Sequence, residues 1–462
     1  GFAGSYHAMN ISGLKEHVNT SNASSATSST RTTPRTLISI DSDIERVVLE
    51  ADDRHPGMGT IDEPGQAVFG ESAKPTRVCV CGTGHAAHVM STLFPSRGIE
   101  TNVYTRSSGK ADTWSTALHN LGEMELQIQG EDGAARVVRA SPSIVTADAG
   151  RAVPGCDLIF ISLPAIVHRA YLEAIAPHVS EGATIVAMPG YPGFSWELRD
   201  VFQERFDKVR LVALEECPWV CRFSREFAKS SILATKKDML TFSADQTGIA
   251  QVQACLGEKP FLKRASSMLA VDLNSGNPRL HLPILYGKWH CWDGQPCHEE
   301  PLFYHGSDEF TAKMVMQMSD ELMATKQALL RLNPNIDLRG VRATSETFHD
   351  YYAKICDDPS SMLGILRTNR GYAGLKHPMV ETEDGMFMPN FQQRYMTEDL
   401  PMGLVPMRGI AELVGVETPT IDTILVWCQE ACGKEYLKDG TLTGRDISES
   451  RAPANFGITS AR

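Results

Sequence analysis

The stretch Arg77-Val-Cys-Val-Cys-Gly-Thr-Gly-His-Ala-Ala-His88 decides the fold. An apolar run, Val78 to Cys81, breaks into Gly82-Thr-Gly84-His85-Ala-Ala87 and passes into a helical pattern. Such a strand–turn–helix builds a dinucleotide phosphate site. Gly82 allows the tight turn, and Gly84 lets the backbone approach a pyrophosphate, whose charge then sits on the helix's unpaired N–H groups. Ala87 stands where the strict pattern has Gly, which gives slightly wider helix–strand packing. The motif alone is weak, since a chance Gly-rich turn reads the same way.

The residues that follow supply the context. Glu100–Thr105, Gly155–Pro164, Ala183–Pro189 and Val209–Leu214 read as strands, several of them continuous apolar runs bounded by turn residues. Strands alternating with helical stretches imply a doubly wound parallel sheet with right-handed crossovers. Its ligand is expected at the carboxyl ends of the strands, where Leu163-Pro164, Pro189-Gly190 and Glu215-Glu216 fall.

From about Asp272 the grammar changes to helical spacing punctuated by Gly and Pro. The reading is therefore an α/β dinucleotide-binding domain over residues 76–270, followed by an all-helical domain over 271–462. Residues 1–75 read as a disordered extension, because Ser21–Thr36 is rich in Ser and Thr and nearly free of core-forming residues. A transit peptide fits poorly: the first 40 residues hold two arginines and no amphipathic stripe.

A chain of 462 residues has room for two domains. Its net charge of −12 argues against nucleic acid or an anionic membrane as partner. No apolar run approaches the roughly 20 residues of a membrane span. Eleven cysteines without a paired CxxC spacing suit reduced thiols in a cytoplasmic protein, and no metal site is expected. Nothing reads as a coiled coil or a dimer face, so a monomer is the default.

Three clusters could carry chemistry. His281 lies just past the domain boundary, where it could face the cleft or simply bond a local carbonyl. Cys291–Gly306, with Trp292, reads as an aromatic loop that walls a pocket or is plain structure. Arg394 and Asp399 stand in RYMTEDLPMG; Asp399 before Leu-Pro also suits a helix N-cap with proline in the first turn.

Together and in order, these clusters resemble the animal octopine/opine dehydrogenases. The likeness rests on VCVCGTG, SLPAIVH (162–168), CPWVCR (217–222), HLPILYGKW (281–289), CWDGQP (291–296), PLFYHG (301–306), GLKHP (374–378), RYMTEDLPMG (394–403) and GKEYLKDGTLTGRD (433–446). It covers nearly all of the chain after the extension. The family builds a Rossmann domain followed by a helical domain. It condenses pyruvate with an amino acid and reduces the imine with NADH, regenerating NAD⁺ in anaerobic glycolysis. The resemblance implies His281 as catalytic histidine, Asp399 as its partner and Arg394 as holder of a substrate carboxylate, with Leu163, Pro164 and Ala165 beneath the nicotinamide.

Two departures bear on specificity. Octopine-forming relatives carry Gln and Thr at the positions of Tyr191 and Glu216, where the amino substrate is expected. A carboxylate at Glu216 suits a cationic amine, or is solvated or paired with Arg222. The amine is thus left open among arginine, alanine, glycine, taurine and β-alanine. The acidic residue expected to bind the cofactor ribose is replaced by Thr105-Arg106-Ser-Ser108. Arg106 suits a 2′-phosphate, so NADP stands as the lesser alternative to NAD. The rival functions are a keto-acid or sugar-phosphate reductase of the same architecture, and a dinucleotide-sensing paralogue without catalysis.

Overall fold

The computed structural model describes residues 74–130 and 134–460, so the reading of an N-terminal extension falls almost wholly outside it. The chain forms β1 (Arg77–Cys81), β2 (Glu100–Tyr104), β3 (Met124–Gln129), β4 (Ala135–Ala140), β5 (Ile144–Thr146) and β6 (Leu158–Ile161). It continues with β7 (Thr184–Ala187), β8 (Arg210–Leu214), β9 (Trp219–Arg225), β10 (Lys229–Thr235), β11 (Asp238–Ser243) and β12 (Phe261–Ala265).

Eight of these strands make one twisted sheet in the order β12-β11-β8-β7-β6-β1-β2-β5. All pairs are parallel except β8–β11. The strand order reverses at β1, which lies between β2 and β6. The crevice beyond Cys81 and Ile161 is therefore the topological switch point, where ligands of such sheets bind.

A second sheet, β4-β3-β10-β9, does not appear in the sequence reading. β3 shows only partial alternation and β4 is largely exposed, so neither has the continuous apolar run of a central strand. Helix His85–Ser96 is packed between the two sheets. This explains why Ala87 to Phe94 are all buried, polar His88, Ser91 and Thr92 included.

Beyond β12 the chain is helical. Helix Gly276–Trp289 is buried along most of its length and packs against Glu309–Leu332 and Pro419–Ala431 over one large apolar cluster. One short hairpin, Met379–Glu381 with Phe387–Pro389, interrupts the helices. No helix of the described residues is long and apolar enough to cross a membrane.

His88 locks the first helix to the second sheet. Its Nε2 accepts the Phe227 N–H at 2.9 Å, so Nδ1 carries the proton and donates to the Gly84 carbonyl at 2.9 Å. The ring lies stacked on Trp114 and Phe227. Burial lowers its pKa from 6.5 to about 4. Between those values the unfolded chain binds a proton that the folded protein refuses. The stabilisation is whole above about pH 6.5 and falls by about 3 kcal/mol as the pH drops to about 4. His377, lowered by burial to about 3, adds to the same slope. His88→Asn is expected to flatten part of the fall in urea midpoint between pH 7 and 4.5; an unchanged slope would exclude His88 as its source.

Candidate active site

The phosphate end of the cleft begins where β1 stops. Gly82 has φ +118°, and a Cβ there would lie 2.8 Å from Leu163 Cδ2 and 3.0 Å from the Ser162 carbonyl. Backbone conformation and close approach of the β6 end both demand glycine. A Cβ on Gly84 would meet nothing within 4 Å. No side chain caps helix 85–96, so the N–H groups of its first turn are free for an anion. Lys110 Nζ stands 3.4 Å from Thr83 Oγ1 and adds positive charge to the turn. Glycine cradle, uncapped amides and lysine together fit a pyrophosphate.

The predicted contacts around this turn separate into two kinds. Ala87 is buried between the sheets. The His85 ring is turned to β9, where Nδ1 accepts the Phe223 N–H at 3.2 Å, so its imidazole serves packing. Arg106 follows β2 with an exposed side chain, while its backbone N–H donates to the Tyr171 hydroxyl. Ser107 caps helix Ser108–Leu121.

Leu163-Pro164-Ala165 leaves the end of β6 and is braced from both sides. Arg451 donates to His168 Nδ1 at 2.9 Å and pairs with Glu197 at 2.5 Å. The Arg451 bond places the imidazole proton on Nε2, which donates to the Leu163 carbonyl at 2.9 Å. Complete burial holds the His168 pKa well below its usual range, so the ring is neutral and able to accept. From the helical side, Glu398 Oε1 accepts the Ala165 N–H at 2.7 Å.

His281 lies inside helix 276–289. Its Nδ1 meets Asp399 Oδ2 at 2.7 Å and its Nε2 meets the Tyr304 hydroxyl at 3.0 Å. Tyr395 stacks on the ring at 4.0 Å and Phe303 presents its edge. Asp399 stands at the N-cap position of the helical turn Leu400–Leu404, with proline in its first turn, but its side chain makes no capping bond there. Its second oxygen accepts the Tyr191 hydroxyl at 2.9 Å, and Tyr191 in turn accepts from Asn277 Nδ2 at 3.1 Å. Burial, with Asp399 and Glu398 beside it, keeps the Tyr191 phenol protonated by raising its pKa well above 10. The imidazole therefore has one nitrogen fixed by a buried carboxylate and the other facing a phenol. That arrangement is chemically able to move a proton at Nε2.

Arg394 stands one turn before Asp399. Its Nε and Nη2 both donate to Glu398 Oε2, at 2.6 and 2.5 Å, and its side chain remains 60% exposed. Glu216 pairs with Lys236 at the end of β8, and Glu216 Oε1 lies against Gly276 at the start of helix 276–289. Trp292 is not brought to the dyad. It lies past the far end of that helix, packed edge-on with Trp289 and Phe391, its Nε1 donating to the Gln295 carbonyl.

Sequence reasoning missed Glu398, Asn277, Tyr304, Tyr395, His168 and Arg451. The i,i+4 spacings of Arg394 with Glu398 and of Asn277 with His281 were visible signals. The others meet only through the tertiary fold.

The family model for the "NAD/NADP octopine/nopaline dehydrogenase, alpha-helical domain" matches residues 264–432. The opine dehydrogenase of Haliotis discus hannai is 38% identical over 398 residues, covering 83% of this chain and 97% of that protein. The tauropine dehydrogenase of Arabella iricolor is 34% identical, covering 82% and 97%. A solved octopine dehydrogenase with NADH and L-arginine is 34% identical, with a TM-score of 0.78 over 84% of this chain and 96% of that one. The same enzyme with NADH and pyruvate superposes with a TM-score of 0.76 at 33% identity, over 83% and 96%. On this likeness over nearly the whole length of its relatives, the chain belongs to the opine dehydrogenase family.

Proposed function

We propose that this protein is an NADH-dependent opine dehydrogenase that joins pyruvate to the amino group of an amino acid. The observation that carries the reading is the His281–Asp399 pair, with Arg394 one turn away, set beside the carboxyl edge of the nucleotide-binding sheet. The reaction condenses the keto carbon with the amine, releases water and reduces the resulting imine to a secondary amine. NADH supplies the hydride when bound, held by the Gly82–Gly84 turn, the amides of helix 85–96 and Leu163–Ala165, with Arg106 at the ribose end. Solved relatives of 33–34% identity bind NADH, which favours NAD over NADP here.

The protein's own groups do the rest. Arg394 holds the pyruvate carboxylate: Glu398 occupies Nε and part of Nη2, leaving Nη1 for a second acceptor. His281 Nε2 gives a proton to the departing carbonyl oxygen and takes one from the amine. Asp399 steadies the imidazolium in between. Burial of the dyad under Tyr395 and Phe303 keeps water from competing. This reading places the enzyme in the cytoplasm, where opine formation restores NAD⁺ during anaerobic glycolysis; its eleven free cysteines agree with a reducing compartment.

The amine is an amino acid with an uncharged or acidic tail. Glu216, the extra carboxylate near the expected amine site, is already neutralised by Lys236, whose ammonium also sits 4.6 Å over the Tyr351 ring. It is not free for a guanidinium.

NADH oxidation with pyruvate is expected to require an amine from the panel alanine, glycine, taurine, β-alanine and arginine. Turnover with pyruvate alone would make the protein a keto-acid reductase. Cofactor binding without any turnover would make it a non-catalytic paralogue. His281→Ala should lower kcat by about 10³-fold with the NADH affinity within about threefold of wild type. Retained activity would remove His281 from its role. Lys236→Met frees Glu216 and should raise the arginine-to-alanine ratio of kcat/KM by about tenfold. A constant ratio would place the amine elsewhere.

A further inference from the structure

Tyr191 stands in the loop after β7, in the nucleotide-binding domain, whereas the dyad it touches belongs to the helical domain. Its loop is rigid: the Gly190 N–H donates to the Leu214 carbonyl at 2.6 Å, and a Cβ on Gly190 would lie 2.7 Å from that of Ala213. The phenol is 3% exposed. It gives its proton to Asp399 Oδ1 at 2.9 Å and accepts from Asn277 Nδ2 at 3.1 Å. Asn277 lies one helical turn before His281 on the same helix, so its amide and the imidazole share a face. The four side chains form one line, Asn277 to Tyr191 to Asp399 to His281, that leaves the helical domain and returns to it.

We propose that Tyr191 is a positioning residue of the proton-transfer dyad, completing it from the opposite domain rather than contacting the amino substrate. A hydrogen bond to the far oxygen of Asp399 does two things. It fixes the carboxylate plane so that Oδ2 points at His281 Nδ1. It also draws charge away from Oδ2, so that the imidazolium is held less tightly and returns its proton more readily. Because donor and acceptor come from different domains, the dyad has this geometry only when the cleft is shut on this side, which ties proton transfer to closure.

The charged and titratable groups around the imidazole are few. Asp399 and Tyr395 face it from the 394–399 segment, and Tyr304 from the loop before helix Glu309–Leu332. Tyr191 lies behind Asp399. Arg394 and Glu398 complete the surroundings and are paired with each other. Tyr191 is the group that reaches Asp399 Oδ1 from across the domain junction.

The inference rests on the opine dehydrogenase reading for its kinetic test and is independent of it for its spectroscopic one. Tyr191→Phe keeps the ring and deletes the donor. In the direction of opine oxidation, where His281 must be unprotonated to accept, the acidic limb of the kcat profile should move up by about half to one pH unit. At its plateau kcat should fall about tenfold, with KM for the amine and pyruvate changed less than threefold. Asn277→Ser should move the limb in the same direction by a smaller amount, and it serves alone should Tyr191→Phe not fold.

An unmoved limb with a raised amine KM would overturn the proposal and return Tyr191 to the amine pocket. Unchanged kinetics throughout would overturn it too. The His281 ring-proton titration followed by NMR in the cofactor-loaded protein gives the same decision without turnover. A shifted midpoint in Tyr191→Phe supports the proposal even if no amine is found that reacts, and an unshifted one ends it.

Discussion

Two adjacent carboxylates, Glu398 and Asp399, are buried where the two domains meet, and their need for partners organises the site. Each is at most 3% exposed. A buried carboxylate left without donors costs several kcal/mol, so all four oxygens must be satisfied. The structure does this with two donors from each domain. Ala165 N–H and the Tyr191 hydroxyl come from the nucleotide-binding side; Arg394 and His281 come from the helical side. The bonds that make burial tolerable are also those that aim the groups that would act on substrate.

The same junction couples the ends of the cleft. Glu398 touches Arg394 through one oxygen and the backbone of the Leu163–Ala165 segment through the other. That segment is held again from below by His168, whose neutral ring is oriented by Arg451 near the end of the chain. The Arg451 backbone N–H donates to the Pro401 carbonyl, two residues beyond Asp399. Few of these groups can shift alone, because each fills another's hydrogen-bonding requirement in a dry setting where a lost partner is not replaced by water. The remote residues Arg451 and His168 are thus part of the network that holds the Leu163–Ala165 segment in place.

Family membership leaves the amine open, since the fold is shared and specificity lives in a few side chains at the cleft. Glu216 shows how little a residue type says without its neighbours. Unpaired, a carboxylate there would attract a cationic amine. Paired with Lys236 against the start of helix 276–289, it presents little free charge. The sequence offered Arg222, a near neighbour in the chain, as partner; the structure pairs Glu216 with the more distant Lys236. β9 and β10 fold back as antiparallel neighbours and return the chain to Lys236, just beyond β10.

By itself the sequence determined what depends on local chain physics. The apolar runs of β1, β6, β7 and β8, bounded by turn residues and alternating with helical stretches, read as strands buried on both faces, and in that context the Gly82–Gly84 turn reads as the start of a helix with free amides. The change of period after residue 270 marks the helical part, and His281, Arg394 and Asp399 were legible through long ordered motifs. The tertiary structure alone decided the rest. It joined β3, β4, β9 and β10 into a second sheet whose strands, half exposed, carry no strong periodic signal. It turned the His85 imidazole to packing, left Trp292 past the far end of helix Gly276–Trp289, and brought Tyr191 to Asp399 across 208 positions of chain. A hydrogen bond between residues so far apart leaves no trace in spacing or composition. It exists because two domains, each folded by its own local pattern, must share the donors that a buried carboxylate requires.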